Sequence, residues 1–192
     1  MNHFSKETYQ KITNTISEES RTDNWYDATY ETYIRILEDN KLDNGSKGFY
    51  NPDDIFLAAS FAFSWLARIP SLPTPSFRLD APVDVIHHLY QIDRGEFNAD
   101  TDKEVINELV SKLDNSVVAV SKMLHFLSPN YFSIIDSKVI ASWNKLFPQH
   151  KLPKKIDINR YMTYAQLMRD WSAKSGIELR ELEKALFKYQ EN

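Results

Sequence analysis

Apolar residues recur at steps of three and four along most of this chain, and polar or proline-containing breaks separate the runs. That pattern predicts helices joined by short turns. Residues Lys6 to about Glu18 make a polar helix anchored by Tyr9 and Ile12. From about Asp23, a good N-cap, to Asp39, the side chains of Trp25, Tyr26, Ala28, Tyr30, Tyr33, Ile34 and Leu37 form a broad aromatic face. Leu42–Gly48 holds two of the four glycines and is the clearest flexible connection. Asn51-Pro52-Asp53-Asp54 starts a third helix with proline in its first turn. Its continuation, IFLAASFAFSWLARI, is apolar nearly all round. This predicts that Phe56–Ile69 is the central and most buried helix, with the helices of Lys122 and Asp136 packed beside it.

Four prolines within Pro70–Pro82 forbid helix and central strand, so an ordered extended loop is expected there. Val83 to about Asp93 reads as a helix with Val85, Ile86, Leu89 and Tyr90 inward. Its adjacent His87 and His88 point to different sides, which argues against a metal site. Thr101 is placed to cap a helix through Leu113, and Asp136 to open one through about Phe147. Pro148–Lys155 is a basic, proline-broken loop, and helices near Ile158–Ser175 and Ile177–Gln190 are separated by Gly176, a natural C-cap. Only Tyr131–Ile135 is ambiguous between strand and coil. The expected class is all-α, a compact multi-helix arrangement forming one domain over 1–192. Within it, 1–44 reads as an N-terminal helical extension and 45–192 as the core.

Composition narrows the classes. Hydrophobic residues at 42% and charged residues at 26% are ordinary for a globular protein. No apolar run reaches the length of a membrane span and the N-terminus lacks a secretory pattern, so a cytoplasmic protein with no membrane partner is expected. The absence of cysteine excludes disulfides, thiol catalysis and thiolate metal sites, and no Gly-rich phosphate loop exists. No metal and no cofactor is expected.

The net charge of −4 argues mildly against a protein that coats nucleic acid, but the charge is unevenly distributed. Between Ser137 and Ile156 lie Lys138, Lys145, Lys151, Lys154 and Lys155 and no acid, whereas Asp84–Asp114 is strongly acidic. A nucleic-acid contact would therefore run over those five lysines; the plainer alternative is a solvated surface.

Candidate chemistry concentrates in Ser116–Lys145. Val117, Val120, Leu124 and Leu127 recur as the buried stripe of one helix. Lys122 lies on it with apolar Val118 and Phe126 one turn away on either side, and His125 follows three residues later. Ser128-Pro129-Asn130 ends the helix, and a short apolar connection delivers Asp136 to the start of the next, as an N-cap near the positive end of the helix dipole. Apolar surroundings lower a lysine's pKa and leave a neutral amine able to act as a nucleophile, while a fixed carboxylate can stabilise developing positive charge. Each residue also has a structural alternative. Lys122 could snorkel, His125 could be a satisfied core histidine, Asp136 a simple cap, and Tyr131, Phe132 and Trp143 core aromatics.

The run SKMLHFLSPNYFSIIDSKV over Ser121–Val139 resembles the catalytic stretch of the helix-hairpin-helix DNA glycosylase superfamily, most nearly its divergent branch similar to 8-oxoguanine DNA glycosylase. The resemblance implies a glycosylase or glycosylase/AP-lyase fold and activity on a modified or damaged nucleotide, with DNA or a nucleotide as partner. It implies Lys122 as nucleophile and Asp136 as the residue that stabilises charge at the sugar. His125 is a further candidate, and one of Tyr131, Phe132 or Trp143 would stack on a flipped base. Where the superfamily's hairpin carries glycines, this chain reads Leu113-Asp114-Asn115-Ser116-Val117, and the Lys122 to Asp136 spacing is a few residues shorter. These departures favour the alternative, a non-catalytic module of the same fold that binds DNA, a nucleotide or a protein partner.

Overall fold

The computed structural model describes residues 4–16, 24–43, 52–66 and 99–189. Among these every regular element is helical, which makes the described protein all-α. In order they are α1 (Lys6–Thr15), α2 (Asn24–Asp43), α3 (Pro52–Ser64), α4 (Ala99–Lys112), α5 (Val117–Leu127), α6 (Ser137–Leu146), a 3₁₀ turn (Pro148–His150), α7 (Ile158–Ser175) and α8 (Leu179–Tyr189). The Pro70–Pro82 loop, the Val83–Asp93 helix with His87 and His88, and the expected cap at Asp23 lie outside the described residues.

Local chemistry sets most boundaries. Ser5, Ser116, Asp136 and Asp157 cap α1, α5, α6 and α7, each side chain accepting an N–H from three residues on. Gly176 ends α7 at φ +68°, in the left-handed region glycine enters without strain. One expected start shifts. Helix α4 begins at Ala99, so Thr101 sits inside its first turn instead of capping it.

Among the described residues the most completely buried helix is α5, where the expectation was Phe56–Ile69, of which 57–66 are described. Apart from the half-buried Val118, every α5 residue is buried, Lys122 and His125 included. In α3, Ala58, Ala59, Ala62 and Phe63 are buried, while Ser64 at its end is exposed. Helix α3 forms the most extensive helix pairing with α5, and its small alanines permit close approach. Helices α2 and α4 cover other sides of α5. Helix α6 finds its main partner in α8 rather than in α3, and α1 lies on α8. Ile12 of α1, Phe4 and Ile16 flanking it, and Leu37 of α2 belong to the same buried cluster as α5, Trp143, Tyr164 and Trp171.

Residues Phe132–Ile135 are buried yet belong to no helix or sheet. Buried backbone groups need partners, and here side chains supply them. His125 Nδ1 lies 2.6 Å from Phe132 O, Tyr161 Oη donates to Ser133 O at 3.3 Å and Tyr164 Oη to Ile134 O at 3.1 Å. Ser121 Oγ accepts Ile135 N–H at 3.2 Å. Just upstream, Arg169 donates to Tyr131 O at 3.0 Å. This clamp fixes where the chain emerges at Asp136.

A cleft joining Lys122 and Asp136

Helix α5 runs away from the same opening that α6 does, because their first residues meet there. A cleft of about 540 Å³ is lined by Asn115, Ser116, Val117 and Val118 at the start of α5 and by Lys122 one turn further in. Asp136, Ser137, Lys138 and Ile140 at the start of α6 line it too. Trp65, Leu66, Lys154, Lys155, Ile156 and Phe187 complete the wall.

Lys122 is 7% exposed, and its Nζ donates to Trp65 O just beyond the end of α3 at 2.9 Å. Burial pulls its pKa below the usual lysine value, against the opposing pull of the Asp136 and Glu183 carboxylates. Asp136 is half-buried and accepts Val139 N–H at 2.9 Å, so the carboxylate is held in one orientation at the cleft edge.

The turn from α4 to α5 places Asp114 and Asn115 at φ +56° and +50°. These are the left-handed positions where glycine is the usual choice, and Asp and Asn are the side chains that tolerate them best. The loop after α6 is pinned by Asn144, whose Nδ2 donates to Leu152 O at 2.8 Å while its Oδ1 accepts Leu152 N–H at 2.7 Å. Trp143 Nε1 reaches His150 O at 2.8 Å. These bonds hold the segment that brings Lys154 and Lys155 to the cleft.

The other candidates are distributed differently. Lys138 lines the cleft with its ammonium 4.5 Å from the Phe187 ring centre, whereas Lys145 stacks on Tyr189 at 4.8 Å and neither it nor Lys151 is among the lining residues. His125 is fully buried behind the cleft. Phe132 and Trp143 are 1% and 0% exposed core residues, and Tyr131 lies under the Arg169 guanidinium, 4.2 Å from its ring centre. None of these three aromatics lines the cleft; Trp65 and Phe187 do. Phe132 and Trp143 thus take the core alternative, and closeness in sequence to Asp136 brings none of the three rings to the cleft wall. Among the described residues no group of three or more His, Asp or Glu side chains is arranged to hold a metal.

Sequence reasoning also missed a buried polar cluster behind Lys122. Glu183 is fully buried, paired with Arg180, and its Oε2 lies 4.0 Å from His125 Nε2. Arg180 covers the Tyr30 ring at 4.2 Å. A signal existed: Glu183 sits one turn from Leu179 and from Phe187, the same apolar bracketing that singled out Lys122. No protein-family model, curated protein or solved structure matches the chain.

Proposed function

We propose that the protein cleaves the N-glycosidic bond of a modified or damaged nucleotide, as a DNA glycosylase with AP-lyase capability, using Lys122 as nucleophile and Asp136 as electrostatic partner. The observation that carries this reading is the meeting of both residues in one cleft rimmed by Lys138, Lys154 and Lys155. The helix-hairpin-helix resemblance of Ser121–Val139 supports it, and so does the α4–α5 turn, which keeps left-handed residues without glycine.

Positive charge develops on the sugar as the base leaves with the bonding electrons, and the Asp136 carboxylate opposes it. The neutral Lys122 amine bonds to C1′ and loses a proton. Rupture of the C1′–O4′ bond, with O4′ taking up a proton, then leaves an iminium; loss of a C2′ proton to water forms the C2′–C3′ double bond as the 3′-phosphate departs. A lysine with lowered pKa supplies more of the neutral amine. The lysines on the rim supply attraction for phosphate.

The test is borohydride trapping on abasic and damaged duplexes. Covalent capture by the wild type that disappears in Lys122→Gln supports the assignment. A second reading, a non-catalytic module that binds DNA, a nucleotide or a protein partner, is favoured by one contact: Lys122 already has a structural task in its bond to Trp65 O. Binding of DNA without trapping on any substrate selects it.

A further inference from the structure

Cations and aromatic rings meet in pairs on the face where α6 packs on α8, and this face starts inside the cleft and continues beyond it. Lys138 places its ammonium 4.5 Å from the centre of the Phe187 ring, and both residues line the cleft. Lys145 lies 4.8 Å from the centre of the Tyr189 ring, outside the lining. The two lysines are two helical turns apart on one side of α6, about 10 Å along its axis. Both are exposed and both rings are half-buried, so the rings are fixed by their packing yet reachable from solvent. Lys154 and Lys155, exposed as well, bring the loop after α6 to the same cleft. From 137 to 156 the chain carries no acid.

We propose that this face takes a single strand of DNA, with Lys154, Lys155, Lys138 and Lys145 on its phosphates and unpaired bases stacked on Phe187 and Tyr189. This narrows the substrate of the glycosylase reading, and it rests on that reading only for the chemistry at Lys122. Aromatic faces serve bases that are out of a duplex, since paired bases are already stacked on one another. An ammonium is held only weakly over an exposed ring, and a base stacks on such a ring more strongly. A base therefore displaces Lys138 or Lys145 from its ring, and the flexible four-carbon stem lets the released ammonium reach a neighbouring phosphate.

The distribution of charge also fits one backbone rather than two. The α4–α5 turn, residues 113–116, borders the same cleft through Asn115 and carries the exposed Asp114 and no cation. Lys112, just before it, is engaged by Glu108 at 2.9 Å. A duplex brings two phosphate backbones to a protein surface, whereas a single strand needs one cationic track with rings beside it.

The test is fluorescence anisotropy of a labelled oligothymidylate and of a labelled duplex of equal length, across salt concentrations. The single strand should bind the more tightly. Phe187→Leu and Tyr189→Leu, which keep an apolar side chain, should each weaken single-strand binding about tenfold with the salt slope retained. Lys138→Gln with Lys145→Gln should instead make the slope shallower by about 0.7 for each lysine. Equal or tighter binding of the duplex, no binding of the single strand, or Leu variants that bind as the wild type does overturns the proposal. Should Phe187→Leu fail to fold, Tyr189→Leu at the last residue of α8 decides alone. Borohydride trapping on an abasic single strand and an abasic duplex separates this from the chemistry. Single-strand binding without capture on either sinks the glycosylase reading and leaves the track standing, while capture confined to the duplex overturns the track.

Discussion

Lys122 on α5 donates from Nζ to the carbonyl of Trp65 at 2.9 Å, tying the most buried helix to the segment that follows α3. A cation suits that place, since the end of a helix is the negative end of its dipole. The bond also orients the amine: a neutral lysine that donates one N–H to Trp65 O has its lone pair directed elsewhere. The same contact thus fixes where the amine sits and, in the proposed reaction, its aim.

Replacing Lys122 by Met should separate these roles. The variant fills the same volume without a buried charge, and exchange of a buried ionic group for an apolar one is often neutral or stabilising. Thermal denaturation should show an unchanged or raised Tm, while borohydride trapping is lost. A large drop in Tm would make the Trp65 bond the residue's main purpose.

Asn144→Ala removes both bonds to Leu152 and should cost about 1–3 kcal/mol by urea denaturation. On the proposed glycosylase reading it should also weaken DNA binding, by freeing the loop of Lys154 and Lys155. Lys154→Glu with Lys155→Glu should weaken binding further and flatten its salt dependence, with little change in stability, as these side chains are exposed. Equal affinity in all three proteins, measured across salt concentrations, would move DNA off this face.

The buried His125 sets a pH window for stability. Its pKa is driven down to about 3 by burial and by Arg180, from an ordinary 6.5. Below 6.5 the unfolded chain binds a proton that the folded one refuses, so this contribution is intact above 6.5 and is lost as pH falls toward 3. Glu183 runs the other way. Its raised pKa makes its contribution full below 4.5 and lost as pH rises through the folded value. Unfolding free energies between pH 3 and 7 should fall steeply on the acid side in the wild type and less steeply in His125→Asn. Identical slopes would place the acid sensitivity elsewhere.

Gly176→Ala is a control on backbone strain. Nothing lies within 4 Å of the added Cβ, but φ is +68°, so the expected loss of about 1 kcal/mol is conformational and not steric. Calorimetry should show a small fall in Tm with the enthalpy of the transition retained.

Much of this architecture was legible along the chain. The cap at Asp136 and the glycine at the end of α7 depend on a few neighbouring residues, so local chemistry determined them. The all-α class followed from helical spacing repeated through the chain. The buried environment of Lys122 was also readable, because Val118 and Phe126 bracket it one turn away on the same helix.

What lies across from a side chain is a different kind of fact. Trp65 and Phe187 reach the cleft because α3 and α8 fold onto its edges, while Trp143 and Phe132, closer in sequence to Asp136, turn into the core. Glu183 meets His125 from a helix at the far end of the chain, and no spacing encodes that pairing. Helix α3 looked the most buried because it is apolar on every face, yet among the described residues α5 is. Hydrophobicity along a helix states only that its faces can be buried; how completely they are depends on which neighbours arrive, and those contacts form only when distant segments fold together.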